Sequence, residues 1–357
     1  MTLKRSEVMI RGRKYFTRIC AVSILWVFAL FLISGCGGKK GAGNTPKNPP
    51  SLEETLKKGI KPNELGMVMM IEYHWFGENE SEYTRSYENF KKDLETLYRK
   101  GYRLVSFSHL MSGKMNIPAG TTPVVLSFDD STESQFRYIE EGGKIRIDSE
   151  CAIGIMMEFC AKNQDFGFTG IFNILRSLFE QPKYVRRKLK YLKSKGFEFG
   201  NHTEHHYALA KLTPTEIKKE IALPIERMMK IDPTLRFVTL CLPYNSVPES
   251  TDILFKGSYG KTRYSYKYVI GTGGTPFYPV YHYKNPGKII PRVLAVDYDP
   301  EDGSGYKGSD YWIKYFDKHP ELRFISDGDP DTICAPAYMK YRLNASGIPK
   351  GSRFVGY

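Results

Sequence analysis

The chain of 357 residues holds 52 Lys and Arg against 39 Asp and Glu, a formal charge of +13, with 41% apolar and 14% aromatic residues. That composition excludes a disordered chain and is enough for a sizeable core, in one large domain or two small ones. The charge is unevenly placed: residues 1–35 hold six basic residues against Glu7, and the remainder holds 46 basic against 38 acidic, a net +8. A mild excess spread over a domain suits anionic surroundings such as a membrane face or a wall polymer. No dense basic tract of nucleic-acid type is present, so nucleic acid is not expected as a partner.

The N-terminus reads as a targeting segment. A basic stretch ends at Arg18, "ICAVSILWVFALFLIS" is apolar over about the length of a signal-peptide core, and Ser34 and Gly35 precede Cys36. This resembles a bacterial lipoprotein signal, which implies removal of residues 1–35, lipidation of Cys36, a lipid anchor in the membrane and an extracytoplasmic location. A plain transmembrane anchor is the competing reading, although the run is slightly short to span. Met9 is an alternative start, because "MIRGRKYF" is already a basic leader. Residues 36–64, rich in Gly, Pro and Lys, read as a flexible tether, and a folded domain is expected over 65–357. Beyond Cys20 and Cys36, the four remaining cysteines (Cys151, Cys160, Cys241, Cys334) lack paired CxxC spacing, which argues against a zinc–thiolate site.

From residue 65 onward strands and helices alternate. "MVMMIEYHW" (67–75) is a short buried strand. In "SYENFKKDLETLYRKG" Phe90, Leu94, Leu97 and Tyr98 recur at helical spacing, with Gly101 at the C-cap, and "RLVSF" follows as a strand. "PVVLSF" (123–128) and "GFTGIF" (167–172) are strands, and "PKYVRRKLKYLKSKG" is a basic helix with Val185, Leu189 and Leu192 inward. Its basic face is read as a solvated surface or one facing an anionic polymer. Thr213, Pro214 and Glu216 open a helix of capping-box type, which Pro224 is expected to kink or split. "RFVTLCLP", "YKYVIG", "KIIPRVLAV" and "LRFIS" supply further apolar runs. Regular interleaving predicts an α/β fold with a parallel sheet or barrel, and sites in such folds lie at strand C-terminal ends.

Two segments carry chemistry. "SFDDS" puts Asp129 and Asp130 directly after an apolar strand; adjacent side chains on a strand face opposite ways, so both reach one site only where the strand ends and turns. The plain reading of such a pair is an N-cap or Asx turn. "FEFGNHTEHHYALAKLT" holds three of the seven histidines, and His202 and His206, four apart, can converge on one ion if the segment is helical, as can His205. Two or three His with a carboxylate suit a divalent ion such as zinc, with coordination left open for water.

Together with "LPYN", these segments occur in the order and surroundings of the polysaccharide deacetylase (NodB-homology) family, whose motifs read roughly TFDDG, H-[ST]-x-x-H and R-x-P-[YF]-G. The resemblance runs from about Leu65 to "RFISDGDP" and is strongest to the branch whose first strand ends in a Tyr-His pair, as in poly-N-acetylglucosamine deacetylases; here that pair is Tyr73-His74. It implies a distorted (β/α) barrel and metal-dependent removal of acetyl groups from an amino-sugar polymer. On the matching positions Asp130, His202 and His206 bind the divalent metal, zinc in the first instance, and Asp129 is the base. Tyr244 supplies a backbone oxyanion donor, and His74 is the acid for the leaving amine in place of a late histidine that "RFISDGDP" lacks.

The chain departs from the pattern at Cys241, where the third motif has Arg, and at Asn245, where it has Gly. Arg292 in "IIPRV" is a candidate to supply the missing cation, or else a surface residue; Asp310 and Trp312 only faintly echo a further support motif. The competing functional reading is a sugar-binding lipoprotein that keeps the fold without turnover. A glycoside hydrolase would need two flanking carboxylates, and Glu72, Glu204 and Asp327 offer no convincing pair.

Overall fold

The computed structural model describes residues 49–297 and 307–357. A parallel sheet is built from β1 (Met69–Tyr73), β2 (Tyr102–Leu104), β3 (Thr122–Phe128), β4 (Ile171–Ile174), β5 (Glu198–Asn201), β6 (Thr239–Cys241), β7 (Val269–Ile270), β8 (Ile289–Ile290) and β9 (Val293–Leu294). The spatial order is β8-β7-β6-β5-β4-β3-β1-β9, with β2 against the first half of β3. Helices α1 (Tyr87–Arg99), α2 (Phe107–Ser112), α3 (Ala152–Lys162), α4 (Val185–Ser194) and α5 (Pro214–Ile231) lie between strands, and α6 (Ser309–Lys318) follows them.

The two edges of this sheet are consecutive in the chain. Ile289 pairs with Val269 and Val293 pairs with Ile71, with only Pro291 and Arg292 between β8 and β9. A step of two residues from one edge to the other curls the sheet into a distorted (β/α) barrel, the fold class that the motifs implied. Every residue of β1 and β3 is buried, as expected of parallel strands covered on both faces.

The inward column of each strand changes character along its length. Val68, Met70, Val125, Ile171, Cys241, Ile270 and Ile290 form one apolar cluster. Two residues further along, by the period of a strand, stand Glu72 on β1 with His74 just past its end, Ser127 on β3 with Asp129 just past its end, and Asn173 on β4. The floor is apolar, and the polar groups gather at the strand C-terminal ends.

Several local expectations need correction. "LRFIS" makes only isolated bridges, Arg323 with Met67 and Ile325 with Asn63, because it lies against the irregular approach to β1. The strand read in "GFTGIF" begins at Ile171, after the irregular run Gly167–Gly170. Helix α5 is not split: it runs on through Pro224, and the carbonyl of Ile221, three residues before it, accepts from Asn201 Nδ2 at 2.8 Å. Within the expected tether, Leu52–Lys57 is a helix with a Ser51 capping box, and Glu64 is buried. The "ESQFRYIEEGGKIRIDSECAIGIMMEFC" segment forms an antiparallel hairpin, Tyr138–Glu141 with Lys144–Ile147, leading into α3. The signal segment and Cys36 lie outside the described residues. The four downstream cysteines are free thiols.

Candidate active site and metal centre

Asp129 sits one residue past β3, 1% exposed. Its two oxygens are gripped by the Arg292 guanidinium, Nη1 to Oδ1 at 2.6 Å and Nη2 to Oδ2 at 2.9 Å. Asn173 Nδ2 donates to Oδ1 at 2.7 Å. Arg292 is itself fully surrounded: Nε donates to Gly271 O at 3.0 Å, Nη1 to Ser127 Oγ at 3.1 Å, and Nη2 lies 3.1 Å from Glu72 Oε1. Burial alone would raise the pKa of Asp129, but Arg292, with His202 and His74, overcomes it and holds the carboxyl well below the usual range. Glu72 goes the other way: its burial outweighs the attraction of Arg292, and its pKa is raised.

Thus the cation absent from the third motif reaches Asp129 from the seam between β8 and β9. Cys241, at the motif position, lies with Sγ 3.7 Å from Asp129 Oδ2, and burial pushes its thiol pKa well up, so it stays protonated. A bidentate guanidinium restrains both the charge and the plane of a carboxylate, which a lone lysine in its place would not do.

Asp130 follows with φ 74°, a left-handed conformation uncommon outside glycine. This turn is what lets a carboxylate adjacent to Asp129 serve the same site. His202 leaves β5 fully buried, with Nδ1 3.1 Å from Cys241 O. That contact fixes Nδ1 as the donor and leaves the Nε2 lone pair for a ligand. Nε2 is buried without a hydrogen-bond partner among the described residues. It lies 3.6 Å from Asp130 Oδ1, and His206 Nε2 lies 3.7 Å from the same oxygen. The convergence of His202 and His206 does not come from a helix: the segment is a loop in which Thr203 (φ 65°) and His206 (φ 59°) are left-handed, pinned by Asn201 Oδ1 accepting from Thr203 N and Thr203 Oγ1 accepting from His206 N.

Three groupings bring potential ligand atoms together: Asp130–His202–His206, Asp129–His202–Cys241 and Glu72–His74–Asp129. Only the first has oxygens and nitrogens free of a resident cation. In the other two Asp129 is already neutralised by Arg292, Cys241 holds its proton, and Glu72 shares the guanidinium. The orphaned His202 Nε2 and the two-His, one-carboxylate donor set therefore fit a divalent ion such as zinc at the first grouping. His205 turns away, with its N–H and Nδ1 both on Glu220, at 2.8 and 2.7 Å.

His74, just past β1, has Nε2 3.5 Å from Glu72 Oε1 and 3.9 Å from Asp129 Oδ2. Its ring meets Tyr83 edge-on, 5.1 Å between centroids. Tyr244 is also left-handed (φ 56°), 72% exposed, with its ring 4.7 Å from that of His206. Next to it Asn245 Oδ1 accepts from Thr272 N at 2.9 Å, and Thr272 Oγ1 lies 3.1 Å from Glu72. Trp312 Nε1 donates to Gly274 O, and Asp310 pairs with Lys314 on the exposed face of α6, so neither of these two touches Asp129. Of the carboxylates weighed for glycoside hydrolysis, Glu72 pairs with Arg292, Glu204 with Arg227, and Asp327 accepts from Thr332, so no flanking pair forms.

The family model described as polysaccharide deacetylase matches residues 166–257, the span holding β4, β5, the histidine loop and β6. Over that span the chain is similar to polysaccharide deacetylases. No curated protein matches it. Among solved structures, the Streptococcus pyogenes deacetylase PplD in complex with acetate is similar at 17% identity and a TM-score of 0.48, over 64% of this chain and 92% of that one. IcaB from Ammonifex degensii is similar at 19% identity and a TM-score of 0.45, over 70% of this chain and 97% of that one. A de-N-acetylase from Aggregatibacter actinomycetemcomitans stands at 14% and 0.44, over 63% and 94%. Glu72 and Asn173 join the site without a motif to announce them. The signal that could have found them is the inward period-two step back from His74 and the apolar run around Asn173.

Proposed function

We propose that this domain is a metal-dependent hydrolase that removes N-acetyl groups from an amino-sugar polymer, on a lipid-anchored, extracytoplasmic chain. The observation that carries the reading is the bidentate Arg292–Asp129 pair placed beside an orphaned His202 Nε2. A base kept ionised next to an open ligand set is the arrangement that hydrolysis of an amide requires. Asp130, His202 and His206 would hold the ion, which when bound polarises the acetyl carbonyl and makes its water more acidic. Asp129 takes the proton of the attacking water, and Arg292 keeps it ionised to do so. The backbone N–H of Tyr244 is assigned to the developing oxyanion, where a fixed donor is worth most. His74 protonates the departing amine, with Glu72 beside it to stabilise the charged ring.

The competing reading, a sugar-binding lipoprotein without turnover, drew on the missing motif arginine. The approach of Arg292 to Asp129 removes that support. The deciding experiment is acetate release from N-acetylglucosamine oligomers and peptidoglycan, with added metal and with chelator. Release that chelator abolishes is expected; no release from any acetylated polymer would leave the binding protein as the better account. His74→Ala should keep its metal and lose most turnover, and unchanged turnover would remove His74 from the mechanism. Cys36→Ala should free the chain from the membrane fraction.

A further inference from the structure

Helix α4 carries a lysine where its core stripe should be apolar. Val185, Lys188, Leu189 and Leu192 stand at i, i+3, i+4 and i+7, and Lys188 is fully buried, whereas Arg186, Arg187, Lys190 and Lys193 are exposed. Its Nζ donates to Phe179 O at 2.9 Å and lies between the Phe136 and Phe179 rings, 5.7 and 5.6 Å from their centroids. An ammonium held by one carbonyl and two aromatic faces is a costly group to keep in a core unless it holds something in place.

What it holds is unusual backbone. Leu178, Phe179 and Glu180 are consecutive left-handed residues, φ 47°, 63° and 53°, and none is glycine. Such a run does not persist without outside support. Its far side locks onto the Asp130 turn. Phe179 N donates to Ser131 O at 2.6 Å, Ser177 Oγ donates to Asp130 O at 2.6 Å, and Glu180 Oε2 accepts from Glu133 N at 3.0 Å. Asp130 and Ser131 are left-handed in turn, φ 74° and 50°. Two strained turns therefore brace each other, with Lys188 behind one and the candidate ligand in the other.

We propose that Lys188 is a positioning residue for Asp130: it holds the Leu178–Glu180 turn, which fixes the Asp130 backbone and so aims its carboxylate at His202 and His206. The proposal rests on the assignment of Asp130 as a metal ligand. Lys188 touches neither metal nor substrate; its effect is on how well the ligand set is pre-formed.

The test is titration of the metal-stripped full chain with zinc or cobalt, for the parent, Lys188→Met, Ser177→Ala and the double variant, with urea unfolding of each to confirm a folded state. Lys188→Met and Ser177→Ala are each expected to weaken metal binding by about tenfold or more. The double variant should lose little beyond the worse single, because both act through one pair of turns. A merely structural lysine would lower the urea midpoint and leave metal affinity unchanged, and that result overturns the proposal. Losses that multiply as if independent overturn it as well. Should Lys188→Met not fold, Ser177→Ala decides: unchanged affinity there means the turn does not aim Asp130. A parent chain that takes up no divalent ion would sink the metal reading itself, whereas a parent that binds and a Lys188→Met that binds equally sinks this inference alone.

Discussion

The two halves of the site are built on opposite terms. The proposed base half, Asp129 with Arg292, Glu72, Ser127 and Asn173, lies inside the barrel at the strand ends, with both Asp129 oxygens hydrogen-bonded and its charges paired. The ligand half, Asp130, His202 and His206, stands on left-handed turns at the rim, and its best acceptor nitrogen has no partner among the described residues. Burial and ion pairing fix a protonation state, and an unmet lone pair leaves room for exchange. One domain needs both, and the barrel supplies them a single residue apart, at Asp129 and Asp130.

The largest effect that should separate the halves is Asp129→Asn. It removes the proposed base and keeps the proposed ligands, so acetate release should fall about 10²–10⁴-fold while metal content stays at the parental level. Loss of metal as well would show that the halves are not independent. Arg292→Met breaks the base half from behind. It leaves Asp129 and Glu72 buried without their cation, at a cost of about 3–5 kcal/mol in urea unfolding. With the largest charge opposing burial gone, the pKa of Asp129 rises, and the acid limb of the pH–rate profile should move to higher pH. An unmoved limb would mean that the guanidinium is structural only.

A smaller effect belongs to the brace behind the ligand half. Burial lowers the Lys188 pKa from 10.5 to about 8. Because the folded-state value lies below the unfolded one, the unfolded chain binds more protons between them, and stability gains with pH through that window. The gain due to this group is at most about 3 kcal/mol. It should appear as a rise in the urea midpoint of the parent relative to Lys188→Met from pH 8 to 10.5; parallel curves would refute it. Smallest is Cys241→Ala, which removes a buried sulfur without touching the ion pair. A cost of about 1 kcal/mol with near-parental turnover is expected, and a large loss of turnover would show that the thiol itself tunes Asp129.

The sequence was most informative where chemistry and strand ends coincide. Asp129, Asp130, His202 and His206 follow apolar runs, and Arg292 interrupts one, so each could be read as a C-terminal-end residue of a parallel strand. Glu72 and Asn173 could not, since a polar residue inside an apolar run declares its direction only once the barrel fixes which face is inward. Lys188 was hidden by its basic neighbours, although its place in the stripe of α4 was a sign. The spacing of His202 and His206 suggested that a helix brings the two together; they do converge, but through left-handed backbone at Thr203 and His206, which no local propensity announces. Pro224 does not split α5, and Asn201, from a strand, bonds the Ile221 carbonyl in the turn before it.

The seam at Pro291–Arg292 also sets an order of events during synthesis. Asp129 leaves the ribosome 163 residues before the guanidinium that neutralises it. Until then a collapsing chain carries an acid destined for the barrel interior with no cation to meet it, and β1 lacks β9 at its edge. A fragment ending before residue 292 should therefore neither close nor hydrolyse, because the late arginine that completes the barrel is also the one that would keep the proposed base ionised.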